Sequence, residues 1–314
     1  MKSKKPLKIK KPKALLLFSG GLDSILALKL LQEQNLNVES VFFLLPFSKQ
    51  KIPKLKIKLH IIDCTKPPFF QQYLKIIQNP KHGYGTSLNP CKDCKIFLLK
   101  QAKKLAKKIN ADIIATGEVL SQRPMSQLKH QLELIEKQAG LKNKILRPLS
   151  AKLLPLTIYE KKELINRNKL LDIKGRNRKT QIQLAKNYNI KYPSPGGGCL
   201  LCEKQYTPKL KDIFKNKPLN KIKFQEIQLL NMGRHFRSDK TKQKIILGKD
   251  HEENLKLEQL NKILKYNLLI STTPGPTALF ENKKDLKLTQ ELIKVYSKDS
   301  NEKDKKKFDG LKVN

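Results

Sequence analysis

The chain has 314 residues, and 66 Lys and Arg against 27 Asp and Glu give it a formal net charge of +39. So few acids predict a polyanionic partner, because clustered cations attract phosphates. Its longest apolar runs, at 14–18 and 41–47, are far shorter than the ~20 residues of a membrane-spanning helix. The run behind the basic start is also too short for a signal peptide. The sequence therefore predicts a cytosolic protein with no membrane partner.

Short apolar runs alternate with helical patterns after a basic arm at residues 1–13, which we expect to be flexible. The patterns predict strands at 14–18, 38–45, 57–63, 111–116 and 145–149, and helices at 25–34, 69–78, 95–110, 125–139, 158–167 and 180–188. This alternation is typical of an α/β fold with a doubly wound, mostly parallel sheet. We assign this domain to residues 14–205.

A Pro- and Gly-rich segment, YPSPGGGC, predicts a domain boundary close to residue 206. The following residues, 206–296, combine short predicted strands at 244–247 and 268–271 with helices. They are expected to form a smaller α+β domain. Residues 297–314 are rich in charge and are predicted to be a disordered tail.

The segment SGGLDS, Ser19 to Ser24, lies between the first predicted strand and its helix. Ligands of open α/β sheets bind at this position, and glycines together with helix-start N–H groups favour a phosphate. Asp23 beside a phosphate suggests Mg²⁺ or contact near an α-phosphate. The segment fits neither GK[ST] nor GxGxxG. An ordinary strand–helix turn, capped by Asp23 or Ser24, is the alternative that spacing alone leaves open.

Two CxxC pairs stand 104 residues apart, and a fifth cysteine, Cys64, is expected to be a small buried residue. Cys91 and Cys94 precede a long helix, whose amino terminus favours thiolates. Cys199 and Cys202 follow three glycines. The separation is too large for a compact zinc ribbon. An iron–sulfur cluster, a Cys₄ zinc site, a persulfide relay and unrelated thiols all remain open.

Clusters of basic residues without acids are candidate RNA contacts, since cations bind phosphates and release counterions. One cluster lies just before the Cys199 loop and the other lies in GRHFR, where an aromatic ring could also stack on a base. A solvated Lys-rich surface is the alternative for any single cation, and His235 is expected to be structural. The candidates are Lys174, Arg176, Arg178, Lys179, Arg234 and Arg237.

SGGLDS after an apolar strand resembles the PP-loop ATP pyrophosphatases, which cleave ATP between the α- and β-phosphates to adenylate a substrate. Over residues 14–255, NPKHGYGTSLNPCKDC, ATGEVLSQRPMSQ, LRPLSAKLLPLTI, GRNRKTQIQLAK and YPSPGGGCLL resemble a tRNA thiolase branch of this family. That branch is wobble-uridine 2-thiolase-like or 4-thiouridine-synthetase-like. It often carries a carboxy-terminal NFACT-R-type RNA-binding region.

The resemblance implies an adenine nucleotide α-hydrolase-like fold and a set of site residues. ATP and Mg²⁺ would be bound by Ser19, Gly20, Gly21, Asp23, Ser24 and Gly117. Many thiolases have His after that glycine, so no role carries over to Glu118. A [4Fe–4S] cluster, with Zn²⁺ as the alternative, would be bound by Cys91, Cys94 and Cys199. Cys202 departs from the pattern. The residues expected to act in catalysis are Asp23, Cys91 and Cys199.

The resulting hypothesis is an ATP-dependent tRNA sulfurtransferase that adenylates a uridine and inserts sulfur through the cluster or a cysteine persulfide. Its expected partners are tRNA and a sulfur donor, either sulfide or a persulfide carrier. A homodimer is also compatible with the sequence. The alternatives are a PP-loop ligase that adenylates a small carboxylate and a zinc-stabilised RNA-binding protein. The charge counts against the first, and the intact SGGLDS counts against the second.

Overall fold

The computed structural model describes residues 11–193, 198–297 and 302–313, and it separates them into two compact units. The first unit contains residues 11–64, 79–85 and 89–198. The second contains residues 65–78, 86–88 and those from Cys199 onward. The last change of unit along the chain, at Cys199, thus lies a few residues before the boundary predicted after residue 205. The predicted domain limits stay predictions. Most of the basic arm lies outside the described residues.

The first unit is built on a parallel four-stranded sheet in the order β3-β2-β1-β4, as expected for a doubly wound α/β fold. All its strands therefore end at one edge, which is where such sheets bind ligands. The strands are β1 (Lys13–Leu17), β2 (Asn37–Leu44), β3 (Leu59–Asp63) and β4 (Ile113–Thr116). The fold class predicted from the sequence is confirmed.

The helices between residues 11 and 193 belong to the first unit, with the exception of α2, which lies in the second. They are α1 (Leu22–Gln32), α2 (Phe69–Gln78), α3 (Cys91–Lys108), α4 (Lys129–Ala139), α5 (Ile158–Lys161) and α6 (Lys179–Asn187). No helix in the described ranges is long and apolar enough to cross a membrane.

Two predicted elements are reduced to a single bridge or a single turn. The strand predicted at 145–149 is a single bridge between Leu146 and Ala115. Pro148 has no N–H for a ladder, and the Ser150 N–H turns back to the Arg147 carbonyl at 3.0 Å. The helix predicted at 158–167 ends after one turn, since Glu163 adopts a left-handed φ of 57°.

Helix α1 is buried from two sides. Ala27, Leu28 and Leu31 join a cluster that includes Leu16 of β1 and Phe18, which directly follows this strand. Its other buried positions, Leu22, Leu26 and Leu30, pack with Ala185 of α6 and its neighbours. The start of α1 is therefore held at a fixed position above the carboxyl ends of the strands.

The second unit has an antiparallel sheet in the order β5-β6-β8-β7. Its strands are β5 (Arg234–Arg237), β6 (Lys244–Leu247), β7 (Asn267–Leu269) and β8 (Ala278–Phe280). Its remaining helices are α7 (Thr207–Asn216), α8 (Phe224–Leu229), α9 (His251–Leu264), α10 (Leu286–Tyr296) and α11 (Glu302–Lys306).

The carboxy-terminal segment differs from its prediction as a disordered tail, because residues 302–313 are ordered. Phe308 and Leu311 pack against the core formed by the sheet and α10. Lys312 forms an antiparallel bridge with Phe236, and the Val313 N–H donates to the His235 carbonyl at 2.9 Å. Two apolar side chains in a charged sequence are sufficient to anchor it. Residues 298–301 and 314 lie outside the described residues.

Candidate active site

The loop between β1 and α1 has the shape of an anion site. Gly20 adopts a left-handed φ of 79°, which L side chains rarely adopt. Gly21 is the residue before α1, and no side chain caps the helix. The Ser24 hydroxyl donates to the Gly21 carbonyl at 2.8 Å, and Ser19 lies 3.4 Å from Ser24 between hydroxyl oxygens. The first N–H groups of α1 are thus left to a ligand.

Asp23 lies in the first turn of α1, and one of its oxygens is held within the protein. The Gln122 amide donates to Asp23 Oδ2 at 3.1 Å. The other oxygen, Oδ1, is buried and has no hydrogen-bond partner among the described residues. An orphaned carboxylate oxygen beside an anion loop fits Mg²⁺, which prefers one or two carboxylates together with phosphate oxygens.

Gly117, directly after β4, touches the start of α1. A Cβ at this position would lie 2.7 Å from the Ser24 Cα and 2.8 Å from the Asp23 carbonyl oxygen. Both are backbone atoms, so they cannot move aside as a flexible side chain would. Only glycine lets the end of β4 approach the loop this closely.

Glu118 follows this glycine and is buried in a network of charges. Lys95 and Arg147 lie 3.2 and 3.1 Å from its two oxygens, and the Thr116 hydroxyl donates to it at 3.1 Å. Arg147 also pairs with Glu136. Burial alone would raise the pKa of Glu118, but Lys95 and Arg147 outweigh it and lower that pKa to about 2. The network joins α3 to the end of β4.

Cys91 and Cys94 occupy the first turn of α3, which begins four residues before its predicted start at Lys95. The Asn89 amide donates to Cys91 Sγ at 3.4 Å. Between the two cysteines, the buried Asp93 accepts from the His82 backbone N–H and pairs with its ring Nδ1, each at 2.9 Å. Asp93 therefore fixes the preceding loop against the helix start and leaves the two sulfurs at the helix amino terminus.

The other cysteines are placed differently. Cys64 is fully buried at the end of β3, and burial, followed by Cys94 and Asp63, raises the pKa of its thiol to about 12. Cys199 and Cys202 flank a short turn of the second unit and are exposed. None of the five forms a disulfide. Within either unit, no three Cys, His, Asp or Glu side chains of the described residues come together as metal ligands.

The predicted cluster ligands Cys91 and Cys94 thus belong to the first unit and Cys199 to the second. Three thiolates are a donor set suited to a [4Fe–4S] cluster. The assignment of these three ligands stays a prediction. Two of the three glycines that precede Cys199, at positions 196 and 197, lie outside the described residues.

The basic segment 174–179 is bonded to Leu120, two residues before the Gln122 whose amide donates to Asp23. Near the carboxyl ends of α1 and α6, the Tyr188 hydroxyl donates to Glu33 at 3.1 Å, and Lys29 lies 5.4 Å from the Tyr188 ring centre. These contacts join the carboxyl-terminal parts of the two helices. Before α6, the Gly175 N–H donates to the Leu120 carbonyl at 2.7 Å. The predicted RNA contacts of this unit differ in exposure. Arg178 is half-buried, whereas Lys174, Arg176 and Lys179 are exposed.

The candidate RNA contacts of the second unit are engaged within the protein. Arg237 pairs with Asp212 and donates to the Lys242 carbonyl at 2.7 Å. Arg234 donates to the Gly248 carbonyl at 3.2 Å and lies 5.2 Å from the Tyr296 ring centre. These contacts give both arginines a structural role in the sheet.

His235 is buried, in agreement with its expected structural role. Its Nε2 lies 2.8 Å from the Met232 carbonyl oxygen. Burial, followed by Lys244 and Lys209, lowers the pKa of His235 well below its usual value.

A family model described as Thiamine biosynthesis protein (ThiI) matches residues 10–173, which is more than half of the chain. The chain belongs to the ThiI family. A second model, the NFACT protein RNA binding domain, matches residues 233–307. The two matches confirm the resemblance to a thiolase branch of the PP-loop proteins with an NFACT-R-type region. A comparison with curated proteins found no match.

Two solved structures are similar to parts of this ThiI-family chain. A crystal structure of a 4-thiouridine synthetase–RNA complex with bound ATP has 26% identity and a TM-score of 0.35, and covers 50% of this chain. The chain spans only 42% of that synthetase. A predicted subunit of tRNA methyltransferase from Methanocaldococcus jannaschii has 16% identity and a TM-score of 0.32, with coverages of 56% and 76%. TM-scores this low do not establish a shared overall fold.

Several residues of this ThiI-family site were not predicted from the sequence. Gln122 and Glu118 lie in the quoted segment ATGEVLSQRPMSQ, and Lys95 directly follows Cys94. The sequence shows an acid, Glu118, after Gly117 and a cation, Lys95, after Cys94. It does not show that these two side chains pair, because the pairing depends on how α3 packs beside β4.

Proposed function

We propose that this protein is an ATP-dependent tRNA sulfurtransferase that replaces a uridine carbonyl oxygen with sulfur. The proposed reaction has two steps. The carbonyl oxygen attacks the α-phosphorus of ATP and pyrophosphate leaves. Sulfide or the terminal sulfur of a persulfide then attacks the activated carbon, and AMP leaves with the former carbonyl oxygen. Where a persulfide is the donor, a second cysteine thiolate attacks its inner sulfur, which releases the thionucleoside and leaves a disulfide that an external thiol must reduce.

The observation that carries this proposal is the loop from Ser19 to Ser24 in a ThiI-family domain. Its uncapped helix start favours the phosphates, and the orphaned Asp23 Oδ1 offers one ligand for Mg²⁺. Bound Mg²⁺ would supply charge stabilisation for the departing pyrophosphate. Gly117 keeps the end of β4 in contact with this loop.

The sulfur half of the proposal depends on the cysteines. Cys91 and Cys94 lie at a helix amino terminus, which favours the thiolate form. With Cys199 they would hold a [4Fe–4S] cluster, which would supply a binding site for sulfide. The alternative within the same proposal is a persulfide on Cys91 or Cys199.

RNA binding is supported by the exposed cations that surround the start of α6 and by the match of residues 233–307 to an RNA-binding domain. We place the RNA contacts on Lys174, Arg176, Arg178 and Lys179. Arg234 and Arg237 are less suited to this role, since both already bind groups of the protein.

The first half-reaction is tested with purified protein, ATP, Mg²⁺ and unmodified tRNA. We expect AMP and pyrophosphate as products, and we expect Asp23→Ala to reduce their formation at least a hundredfold while tRNA affinity changes less than threefold. Glu33→Ala is the matched control, because it removes an acid at the far end of the same helix. ADP and phosphate as products would contradict the proposal.

A further inference from the structure

The first unit contains a cavity of about 570 Å³ that the proposed function does not use. It lies at the open side of the sheet, next to the single bridge between Leu146 and Ala115. Its walls come from α4 and from the segment 151–160, and none of the residues Ser19–Ser24 lines it. This volume lies in the range of small-molecule sites, about 300–1,000 Å³.

The floor of the cavity offers an unused backbone acceptor and donor. The Leu146 N–H and carbonyl bond to Ile114 and Thr116, so those of Ile145 and Arg147 point to the opposite side. Ile145 is 2% exposed, yet its carbonyl and the Arg147 N–H have no hydrogen-bond partner among residues 11–193, 198–297 and 302–313. Buried backbone groups are nearly always paired, so this pair is suited to a ligand.

Arg147 adds an orphaned side-chain donor to the same wall. Its side chain is 3% exposed, and its Nε and one terminal nitrogen pair with Glu118 and Glu136. The remaining nitrogen, Nη2, is buried and has no partner among the described residues. The Glu136 carboxylate is engaged at both oxygens, because it pairs with Arg147 and accepts from the Asn143 N–H at 2.9 Å.

The open edge is too short for an added β-strand. Toward the amino terminus, the Asn143 carbonyl accepts from the Ile158 N–H at 3.0 Å. Toward the carboxyl terminus, the Arg147 carbonyl accepts from Ser150. The Ile145 N–H, the Ile145 carbonyl and the Arg147 N–H remain without a partner among the described residues, and a planar ring with adjacent donor and acceptor atoms can satisfy the last two together. A peptide strand would need a longer row of pairs.

The rest of the lining fits such a ring. Leu132, Leu154 and Pro155 supply apolar surface for its faces, and Lys129, Lys137 and Lys142 supply positive charge for an attached phosphate. We propose that this cavity binds the base of a nucleotide. The base would donate to the Ile145 carbonyl and accept from the Arg147 N–H, with Arg147 Nη2 as a second donor. Uracil, cytosine and adenine all carry such a donor–acceptor edge.

The test uses ligand-observed NMR of the full chain with uridine, cytidine and adenosine. Leu154→Trp fills the cavity without removing a polar group, and Leu153→Trp is the matched control, because Leu153 is 37% exposed and does not line the cavity. We expect nucleoside affinity to fall at least tenfold in Leu154→Trp and less than twofold in Leu153→Trp. Both variants must retain the wild-type circular dichroism spectrum.

Two further experiments identify the source of the base and distinguish binding at this cavity from binding at the proposed ATP loop. Binding tighter by tenfold or more for an eight-nucleotide oligouridine than for uridine monophosphate indicates an RNA base, and the reverse indicates a free nucleotide. Asp23→Ala is expected to leave nucleoside affinity unchanged even where AMP formation is lost. The proposal is overturned if no nucleoside binds, if Leu154→Trp binds as well as wild type, or if only an acetylated tetra-alanine peptide occupies the cavity.

Discussion

At the residue scale, the site depends on how closely Gly117 approaches the start of α1. The sequence showed a glycine after an apolar strand, but it did not show why glycine is required. The reason is a Cβ position 2.7 Å from the Ser24 Cα, which only the packed structure reveals. The position of Asp23 and the loop glycines was predictable, since it depends on local strand–turn–helix order, whereas their role as ATP ligands came from the family resemblance and stays a prediction.

We predict that Gly117→Ala destabilises the first unit by about 1–3 kcal/mol, because the new methyl group must push backbone apart. It should also weaken ATP binding by shifting the first turn of α1. Urea unfolding and ATP titration measure the two effects. Gly310→Ala is the control, because its Cβ would meet nothing within 4 Å. Equal stability of both variants would contradict the steric explanation.

Glu118 makes the stability of the protein depend on pH. Its pKa is lowered to about 2 from an ordinary value of 4.5, so its contribution is complete above pH 4.5 and is lost as the pH falls toward 2. We predict that Glu118→Gln costs about 3–5 kcal/mol at pH 7, since it leaves the buried Arg147 and the half-buried Lys95 with one partner fewer.

The same substitution should flatten the dependence of unfolding free energy on pH between 4.5 and 2. Denaturant unfolding at several pH values measures this slope. Glu133→Gln, on an exposed position of α4, is the control. A Glu118→Gln slope equal to that of wild type would show that the network does not lower this pKa.

At the element scale, helix boundaries followed the sequence where local signals determined them. Helix α2 occupies the predicted residues 69–78. Helix α3 is also present, but it begins at Cys91, four residues before its predicted start at Lys95. The structure differs from the predicted elements where tertiary packing, and not the local sequence, determines the conformation. The predicted strand at 145–149 is reduced to a bridge, which leaves the edge cavity open. The predicted disordered tail is anchored by Phe308 and Leu311.

The anchored tail leads to a prediction for the second unit. Phe308→Ala should lower its unfolding free energy by about 1–2 kcal/mol, less than for a fully buried phenylalanine because this ring is only partly buried. Urea unfolding monitored by far-ultraviolet circular dichroism measures the loss. Lys306→Ala, on the exposed surface of α11, should change stability by less than 0.5 kcal/mol. Equal effects of both substitutions would indicate a tail that contributes no packing.

At the scale of the whole molecule, the charge of +39 is distributed over two units with different uses for their cations. In the second unit, several basic groups bind acids or carbonyls of the protein, such as Arg237 with Asp212 and Lys217 with Glu226 at 2.5 Å. In the first unit, the cations at 174–179 surround the amino terminus of α6. Composition predicted a polyanionic partner but could not separate these two groups.

We predict that the double variant Lys174→Gln, Arg176→Gln weakens RNA binding and reduces the slope of log affinity against log salt by about 1–2, since each lost phosphate contact releases fewer counterions. Fluorescence anisotropy over a salt series measures the slope. Lys104→Gln, Lys107→Gln removes the same charge from exposed positions in the second half of α3. If both double variants change the slope equally, RNA binding is a diffuse property of the surface.

The central claim is that this chain inserts sulfur into a tRNA uridine. Mass spectrometry of nucleosides from the tRNA of a deletion strain, complemented with wild type, Asp23→Ala or Cys199→Ser, tests it most directly. We expect one thionucleoside to be missing in the deletion strain, to return with the wild-type chain, and to stay missing with either variant. An unchanged set of thionucleosides in the deletion strain would contradict it.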